Sequence, residues 1–412
     1  MKKSSLFPVF FVLFLDNFGF AVILATFGPL FNEPGYGMIS ALTSHTTSNI
    51  MLAVALAVFS FGQFFGAPFL GDIADRFGRK KAFYITITIA TIGYILSGIS
   101  IFMHSYFFLI FSRFLTGFFA GNLSICLASI ADMSPDEPSR AKNFSFIVIV
   151  TGISWMVAML MGGYLSDPNI SSHFNPALPF FVTAVFSGLS LLAIAYMFKE
   201  THPSEEKFKL HLLQGFHNII NTLHHKELRV LYLVYFLWIF GWGLTFQWFS
   251  PYSIQVFKAT ILDITWGQFL FGTTWMIGGY FINNLLVKKF HARPIVIVGT
   301  GITSLLLLAM ALSPNFYWFS GFMTVACFPA AFSWPNTLNL ISMSASEDIQ
   351  GKIMGISQSS MSVGFILATL FGGVLGAIEI KGIYFLAAIL LFASWLVLSM
   401  RHLHLKKQSH SN

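Results

Sequence analysis

Charged side chains are scarce in this sequence. Asp, Glu, Lys and Arg make up 9% of its 412 residues while 56% are hydrophobic, against about 25% charged in an average soluble domain. That scarcity excludes an ordinary water-soluble globule. Cysteine is limited to Cys126 and Cys327, both inside apolar runs, so no disulfide framework and no thiolate metal site is spelled out. His-Glu-x-x-His spacing and a Walker-type Gly-x-x-x-x-Gly-Lys-Ser/Thr segment are absent, which leaves neither a zinc-hydrolase centre nor direct ATP drive. The twelve histidines fall in loops, tails and run ends, and the group His211, His217, His224 and His225 reads as part of a solvated loop. No cofactor, no metal and no enzyme centre are expected. The weak alternation of an outer-membrane barrel is missing too, so helices are the remaining way to satisfy backbone hydrogen bonds in lipid.

What is present is a series of apolar stretches long enough to cross a hydrocarbon core of about 30 Å. They fall at approximately 7–31, 48–70, 82–103, 106–130, 143–165, 178–198, 228–250, 265–287, 293–312, 317–340, 353–376 and 382–400. The fold class expected is all-α, with twelve transmembrane helices. The net charge of +7 is sorted by loop and calls for no nucleic acid. With the N-terminus cytoplasmic, twenty of the twenty-three Lys and Arg lie on the cytoplasmic side, Lys258 and Lys381 lie outside, and Arg113 lies within a span. The positive-inside rule then places both termini in the cytoplasm. Lys2-Lys3 and the apolar run that follows resemble a signal peptide start, but the run continues past Asp16 without a small-residue cleavage site, so it reads as a retained first span.

The longest connection, 199–227, divides the spans six and six. Shifting the chain by 210 residues superposes Gly162-Gly163 on Gly372-Gly373, Lys142 on Lys352, Glu137 on Glu347 and Arg79 on Lys289. The halves thus read as internal repeats: an N-terminal six-helix bundle over 1–198, a linker over 199–227 and a C-terminal bundle over 228–412. Carriers built this way place the solute between the halves near the midplane.

Between the second and third spans the sequence reads Gly71-Asp72-Ile73-Ala74-Asp75-Arg76-Phe77-Gly78-Arg79-Lys80-Lys81. Gly71 and Gly78 permit a tight turn and close helix approach, and Asp75 can face a helix N-terminus. The segment resembles the loop motif of the major facilitator superfamily, with its Gly, Asp-Arg pair, second Gly and basic residues at this spacing. The resemblance implies a cytoplasmic gate in which Asp75 meets the start of the eleventh span near Gly351 to Gly355. It also implies that Arg76 meets an acid ending the fourth span, Asp132.

The fourth span places Arg113, Gly117 and Gly121 on one helical face. An arginine at that depth is a functional candidate by default, and small residues let a neighbouring helix approach. Asp16 is the one acid well inside a span. Its setting, Leu15-Asp16-Asn17-Phe18-Gly19-Phe20 with Gly28-Pro29 beyond, resembles the first span of the drug and tetracycline exporters of the superfamily. That resemblance implies proton coupling through Asp16 and Arg113. Direct pairing of the two, or an arginine reaching the interface, is the plain structural alternative.

Trp334-Pro335-Asn336, the run from Ser344 to Lys352, and Gly372-Gly373 also resemble the tetracycline-exporter branch. One departure is that Ala158-Met159-Leu160-Met161-Gly162-Gly163 lacks the proline of the fifth-span antiporter motif. Asn17, Asn122, Gln247, Asn336, Asn339 and Gln358 are candidate cavity residues, each with an interhelical hydrogen-bonding role as the alternative. Gly117, Gly121, Gly162, Gly163, Gly372 and Gly373 are candidate packing positions. The function this implies is secondary active transport of a small solute, as proton-coupled efflux of a drug-like compound from the bacterial cytoplasmic membrane by a monomer. Proton-coupled uptake of a nutrient, and a transport-inactive receptor or scaffold, are the alternatives.

Overall fold

A computed structural model describes residues 5–33, 36, 38, 40, 43–134, 136–201, 226–344 and 350–411. The N-terminal half contains α1 (Phe7–Asn32), α2 (His45–Phe77), α3 (Arg79–Phe102), α4 (Tyr106–Phe119), α5 (Asn122–Met133), α6 (Glu137–Ser166) and α7 (Leu178–Met197). The C-terminal half contains α8 (Lys226–Gln247), α9 (Phe249–Phe257), α10 (Ile261–Met276), a π-helical turn (Ile277–Ile282), α11 (Asn283–Leu286), α12 (Ala292–Ala311), α13 (Phe316–Met343), α14 (Gln350–Ile378) and α15 (Gly382–Ser411). The pairs α4–α5 and α8–α9 and the run α10 to α11 each make one broken span, so the count is twelve. Among the described residues ten helices are long and apolar enough to cross a membrane by length and composition. The other two spans are the eighth, interrupted by the π-helical turn, and α13, which is continuous but carries Pro329, Pro335, Asn336 and Asn339. Most of the linker, 202–225, lies outside the described residues, and the histidine group with it.

Two of the three breaks have a local explanation. The fourth span opens at Ala120-Gly121, where the freed Ala120 carbonyl accepts from Gln63 Nε2 of α2 at 3.3 Å. In the seventh span Pro251 has no N–H for the carbonyl of Gln247, four residues earlier, and the helix restarts after Trp248. At the fourth-span break a side chain from a neighbouring helix thus replaces a backbone partner, as a chain in lipid requires.

Each half packs as six helices, and the halves meet along two seams, α2 against α14 and α6 against α10. The repeat seen at a shift of 210 is carried into these seams. A Cβ on Gly163 would collide with Thr265 of α10, and one on Gly373 with Ala53 of α2. Gly162 lies against Ala25 of α1, and Gly372 against Trp248. Gly117 packs on the backbone of Phe59 and Gly121 on Leu70, so all six packing positions are helix contacts.

The end of the bundle where α1 starts and α15 ends also holds Arg76, Arg79, Lys80, Arg293 and Arg401 and is called the basic face below. Asp136 caps α6 there by accepting from the Ser139 N–H at 2.7 Å, and those hydrogen bonds hold its carboxyl below the ordinary value. The tight turn expected at Gly71 does not form: α2 runs unbroken to Phe77, and the space where a Gly71 side chain would sit is open. The turn is made by Gly78 alone, at φ +90°, a region that disfavours residues with a Cβ.

Candidate functional site

Asp16 sits on α1 roughly 14 Å from the basic-face end, at 1.5 Å per residue. The helix break at Gly121 starts α5 with Asn122, whose Nδ2 donates to Asp16 Oδ1 at 2.9 Å. Thr86 Oγ1 in turn donates to Asn122 Oδ1 at 2.5 Å. The carboxylate opens on a small polar pocket with Tyr94, Thr183, Ser187 and Ser190, so its walls come from spans one, three, four and six. All of them belong to the N-terminal half.

Arg113 lies on α4, which enters from the opposite face, at a depth of roughly 10 Å. It is 1% exposed. Its guanidinium stands 4.6 Å from the Phe59 ring centroid and 5.9 Å from that of Phe27, and Nε and Nη1 meet no acceptor among the described residues. Arg113 is in none of the ion pairs found there. Neither plain structural alternative is therefore seen: the arginine is not at an interface, and Asp16 is hydrogen-bonded to Asn122 instead. Tyr94 is within electrostatic reach of both groups, and its hydroxyl packs against Gly19, where any side chain would collide with it.

At the centre of the molecule the two halves meet through aromatic rings. Phe20 of α1 lies 5.7 Å from Phe59, 5.9 Å from Trp155, 6.3 Å from Phe246 and 6.1 Å from Phe365. Phe246 closes the set, 5.7 Å from Trp155 and 5.5 Å from Phe365. These five residues come from spans one, two, five, seven and eleven. Sequence reasoning did not single them out, because nothing local separates them from the other aromatics in a chain with 49 phenylalanines. Beside them is a second pocket lined by Ile23, Leu24, Leu56, Ser60, Arg113 and Gln247 as well as Phe20 and Phe59. In this closed arrangement it has room for about one water molecule.

The other cavity candidates divide. Gln247 lines the pocket with Arg113, and Asn122 the one with Asp16. Asn17 donates to Leu13 O on its own helix at 2.9 Å. Asn336 joins two spans of one half through Asn283 Oδ1 at 2.6 Å. Asn339 is exposed and Gln358 half-buried, and neither lines the two pockets.

At the basic face Arg79 Nε lies 3.5 Å from Asp132 Oδ2, a position that sequence reasoning gave to Arg76. The Arg76 guanidinium lies 4.9 Å from the Phe77 ring centroid. Glu200 accepts from the backbone N–H groups of Arg79 and Lys80, and Lys80 Nζ donates to Phe198 O at 2.7 Å. The loop motif is thus tied to the end of α7 within its own half. The contact expected between Asp75 and Gly351 to Gly355 involves side chains outside the described residues.

The opposite face is closed by uncharged amides. Gln255 Nε2 donates to Asn32 Oδ1 and to Asn49 Oδ1, each at 2.7 Å, and Asn49 Nδ2 donates to Gly376 O at 2.7 Å. Glu33, Tyr36, Asp167 and Lys258 lie beside this network. Tyr36 donates to Asp167 Oδ1 at 3.3 Å. Burial pushes the Glu33 carboxyl up, opposed by Lys258 and helped by Asp167.

Comparison with known proteins agrees with this architecture. The tetracycline resistance protein of class C from Escherichia coli is 22% identical over 368 residues, covering 86% of this chain and 85% of that protein. The quinolone resistance protein NorA of Staphylococcus aureus is 24% identical over 396 residues, 93% of each. The match to the class H tetracycline resistance protein of Pasteurella multocida, 26% identical, spans about half of either chain, 49% of this one and 46% of that. Among solved structures, the D-xylose–proton symporter superposes with a TM-score of 0.76 at 16% identity, over 95% of this chain and 96% of that one. The human organic anion transporter MFSD10 superposes at 0.72 and 19% identity, over 95% and 98%; both likenesses speak for the fold. The sequence profile of the Major Facilitator Superfamily matches residues 6–291 and 231–411, and the chain belongs to that family as an integral, multi-pass membrane protein.

Proposed function

We propose that this protein is a secondary transporter that exports a drug-like, amphipathic small molecule in exchange for protons, by alternating access of a central site to the two faces. The observation that carries the reading is the single carboxylate set deep in the N-terminal half, Asp16, held by Asn122 beside a polar pocket. The relatives named for tetracycline and quinolone resistance favour export. Asp16 takes up and releases the proton, and Arg113 modulates it across Tyr94 as the helices shift. The halves 1–198 and 228–412 rock about the linker 199–227, with the basic face cytoplasmic and gated by the loop around Asp75, Arg76 and Arg79. The protein works as a monomer in a bacterial cytoplasmic membrane, without an enzymatic step. Uptake by proton symport is the second reading, favoured by the fifth-span stretch Ala158 to Gly163, where Met159 stands at the position of the antiporter proline.

The test is solute-triggered proton movement in proteoliposomes, over a panel of drugs, organic acids and amino acids, for wild type and Asp16→Asn. At least one solute is expected to drive protons in the wild type, in the antiport sense. The variant should bind that solute yet lose coupled flux by about 100-fold, the size of a lost proton-transfer group. Unchanged flux in Asp16→Asn removes Asp16 from the mechanism, and a well-folded protein that moves nothing across the panel removes transport itself.

A further inference from the structure

In the pocket between Arg113 and Gln247, buried donor atoms of both side chains reach no acceptor among the described residues, although the Ser60 hydroxyl also lines it. Arg113 Nε and Nη1 are buried without a partner, and so is Gln247 Nε2. The amide of Gln247 is oriented by Thr369, whose hydroxyl donates to Gln247 Oε1 at 2.6 Å, which leaves the Nε2 end unused. Arginine stays charged in proteins and has no acceptor atom, and a buried polar group without a partner calls for an explanation. One water molecule, for which the pocket has room, can accept from one of these donors, but it leaves the other donors unpaired and brings no charge to balance the guanidinium. A carboxylate or enolate supplies the explanation, since it is acceptor-only and matches the planar fork of arginine.

The two donors come from opposite halves, Arg113 from α4 and Gln247 from the end of α8. Phe20 and Phe59, which line the pocket, are also part of the central aromatic set. An anionic group held here would have its apolar body beside those rings. We propose that this pocket is the subsite for an anionic group of the transported solute, and that the solute class is an aromatic organic anion. The proposal rests on the transporter reading and names the substrate chemistry of its central site. A group bound there touches both halves, so its affinity depends on how they are arranged.

The experiment uses the full chain in lipid nanodiscs and calorimetric titration with 2-naphthoate, neutral 2-naphthamide, cationic 2-naphthylmethylammonium, and chloride alone. The expected result is binding of 2-naphthoate at least about 10-fold tighter than the other two aromatic probes, the worth of one charge-assisted contact. Gln247→Leu should weaken 2-naphthoate and leave 2-naphthamide nearly unchanged. Arg113→Gln should abolish the preference for the carboxylate, and Arg113→Lys should restore part of it, which separates charge recognition from a folding defect. Equal binding of 2-naphthoate and 2-naphthamide overturns the proposal, as does a preference that survives Arg113→Gln. Failure of 2-naphthoate to bind while chloride does also overturns it, because the site then takes a free ion.

Failure of the transporter reading looks different. Flux of neutral or cationic solutes alone overturns the anion subsite and leaves transport standing. Charge-selective, Arg113-dependent binding without flux of any solute leaves the subsite standing and removes transport.

Discussion

The N-terminal half holds Asp16 and Arg113 deep in its spans and one of the nine tryptophans, Trp155, whereas the C-terminal half holds the other eight and no Asp, Glu, Lys or Arg deeper than the end turns of its spans. Charge inside a bilayer is expensive unless polar groups surround it. The N-terminal half supplies them through Asn122, Thr86, Thr183, Ser187 and Ser190. The C-terminal half is filled with rings instead: Trp238 lies 5.7 Å from Trp242, Trp242 5.6 Å from Trp275 and Trp275 6.4 Å from Trp334. The two halves thus differ in what they bury: one encloses ionisable side chains, and the other is an apolar wall that contributes Phe246, Phe365 and Gln247 to the centre.

The largest effect expected from breaking this comparison comes from exchanging packing residues between the halves. The 210-residue shift puts Gly117 on Cys327. Gly117 sits on the backbone of Phe59, with no room for a side chain, while Cys327 is buried without such a clash partner and the close approach moves to Gly278 against Phe328. Gly117→Cys should therefore cost about 2–3 kcal/mol, typical of overpacking, because the colliding atoms are backbone. Cys327→Ala should cost about 1 kcal/mol, since it leaves only a small void. Thermal unfolding of both variants in detergent checks the order, and a reversed order would mean that the halves are not packed differently at this position.

How much of this was legible beforehand depends on how local each signal is. Span number and repeat period are written into hydropathy and into residues such as Gly162-Gly163 and Gly372-Gly373, so they could be read without a structure. The unbroken course of α2 through Gly71 was not, because a glycine's permissiveness is used only if the packing demands it. The separation of Asp16 from Arg113 was calculable in principle: α1 and α4 start from opposite faces, and counting turns from each end puts the two groups at different depths. The central aromatic set was hidden, since which phenylalanines converge depends on the angle of five helices rather than on any of their sequences.

A smaller effect is expected where the two halves bind each other. Gln255 is the only contribution of α9 to the amide network at the opposite face among the described residues, and it joins Asn32 and Asn49 of the other half. Gln255→Ala removes three hydrogen bonds, the two that its Nε2 donates and the one that its Oε1 accepts from Asn49 Nδ2 at 3.3 Å, each of about 1 kcal/mol, much of which water at the face replaces. A shift of about 1 kcal/mol toward the arrangement open at that face follows, or roughly 5-fold in population. Paired spin labels on the ends of α2 and α14 would report it as a longer distance component. An unchanged distance distribution would show that the α2–α14 helix packing, rather than the amides, holds that face closed.

The smallest effect concerns charge at the same face and sharpens the comparison, because the charges that act on Glu33 are Asp167 of its own half and Lys258 of the other. Burial is the main reason that the Glu33 carboxyl titrates above its ordinary value of 4.5, with Asp167 adding to the rise and Lys258 opposing it. An acid raised in the folded state binds its proton more tightly there than in the unfolded chain, so its contribution favours folding at low pH. That contribution is lost as the pH rises from about 4.5 through the folded-state value. Wild-type thermal stability should therefore carry a shallow downward slope with pH in that window. Glu33→Gln should flatten the slope, and Lys258→Ala should steepen it by removing the opposing charge. The partly exposed site is screened by solvent and salt, so the change should shrink further at high ionic strength. Melting curves across this pH range at low and high salt distinguish the outcomes: a slope that persists in Glu33→Gln must come from another carboxylate, and one insensitive to Lys258→Ala would mean that the C-terminal half contributes no charge to this face that Glu33 can sense.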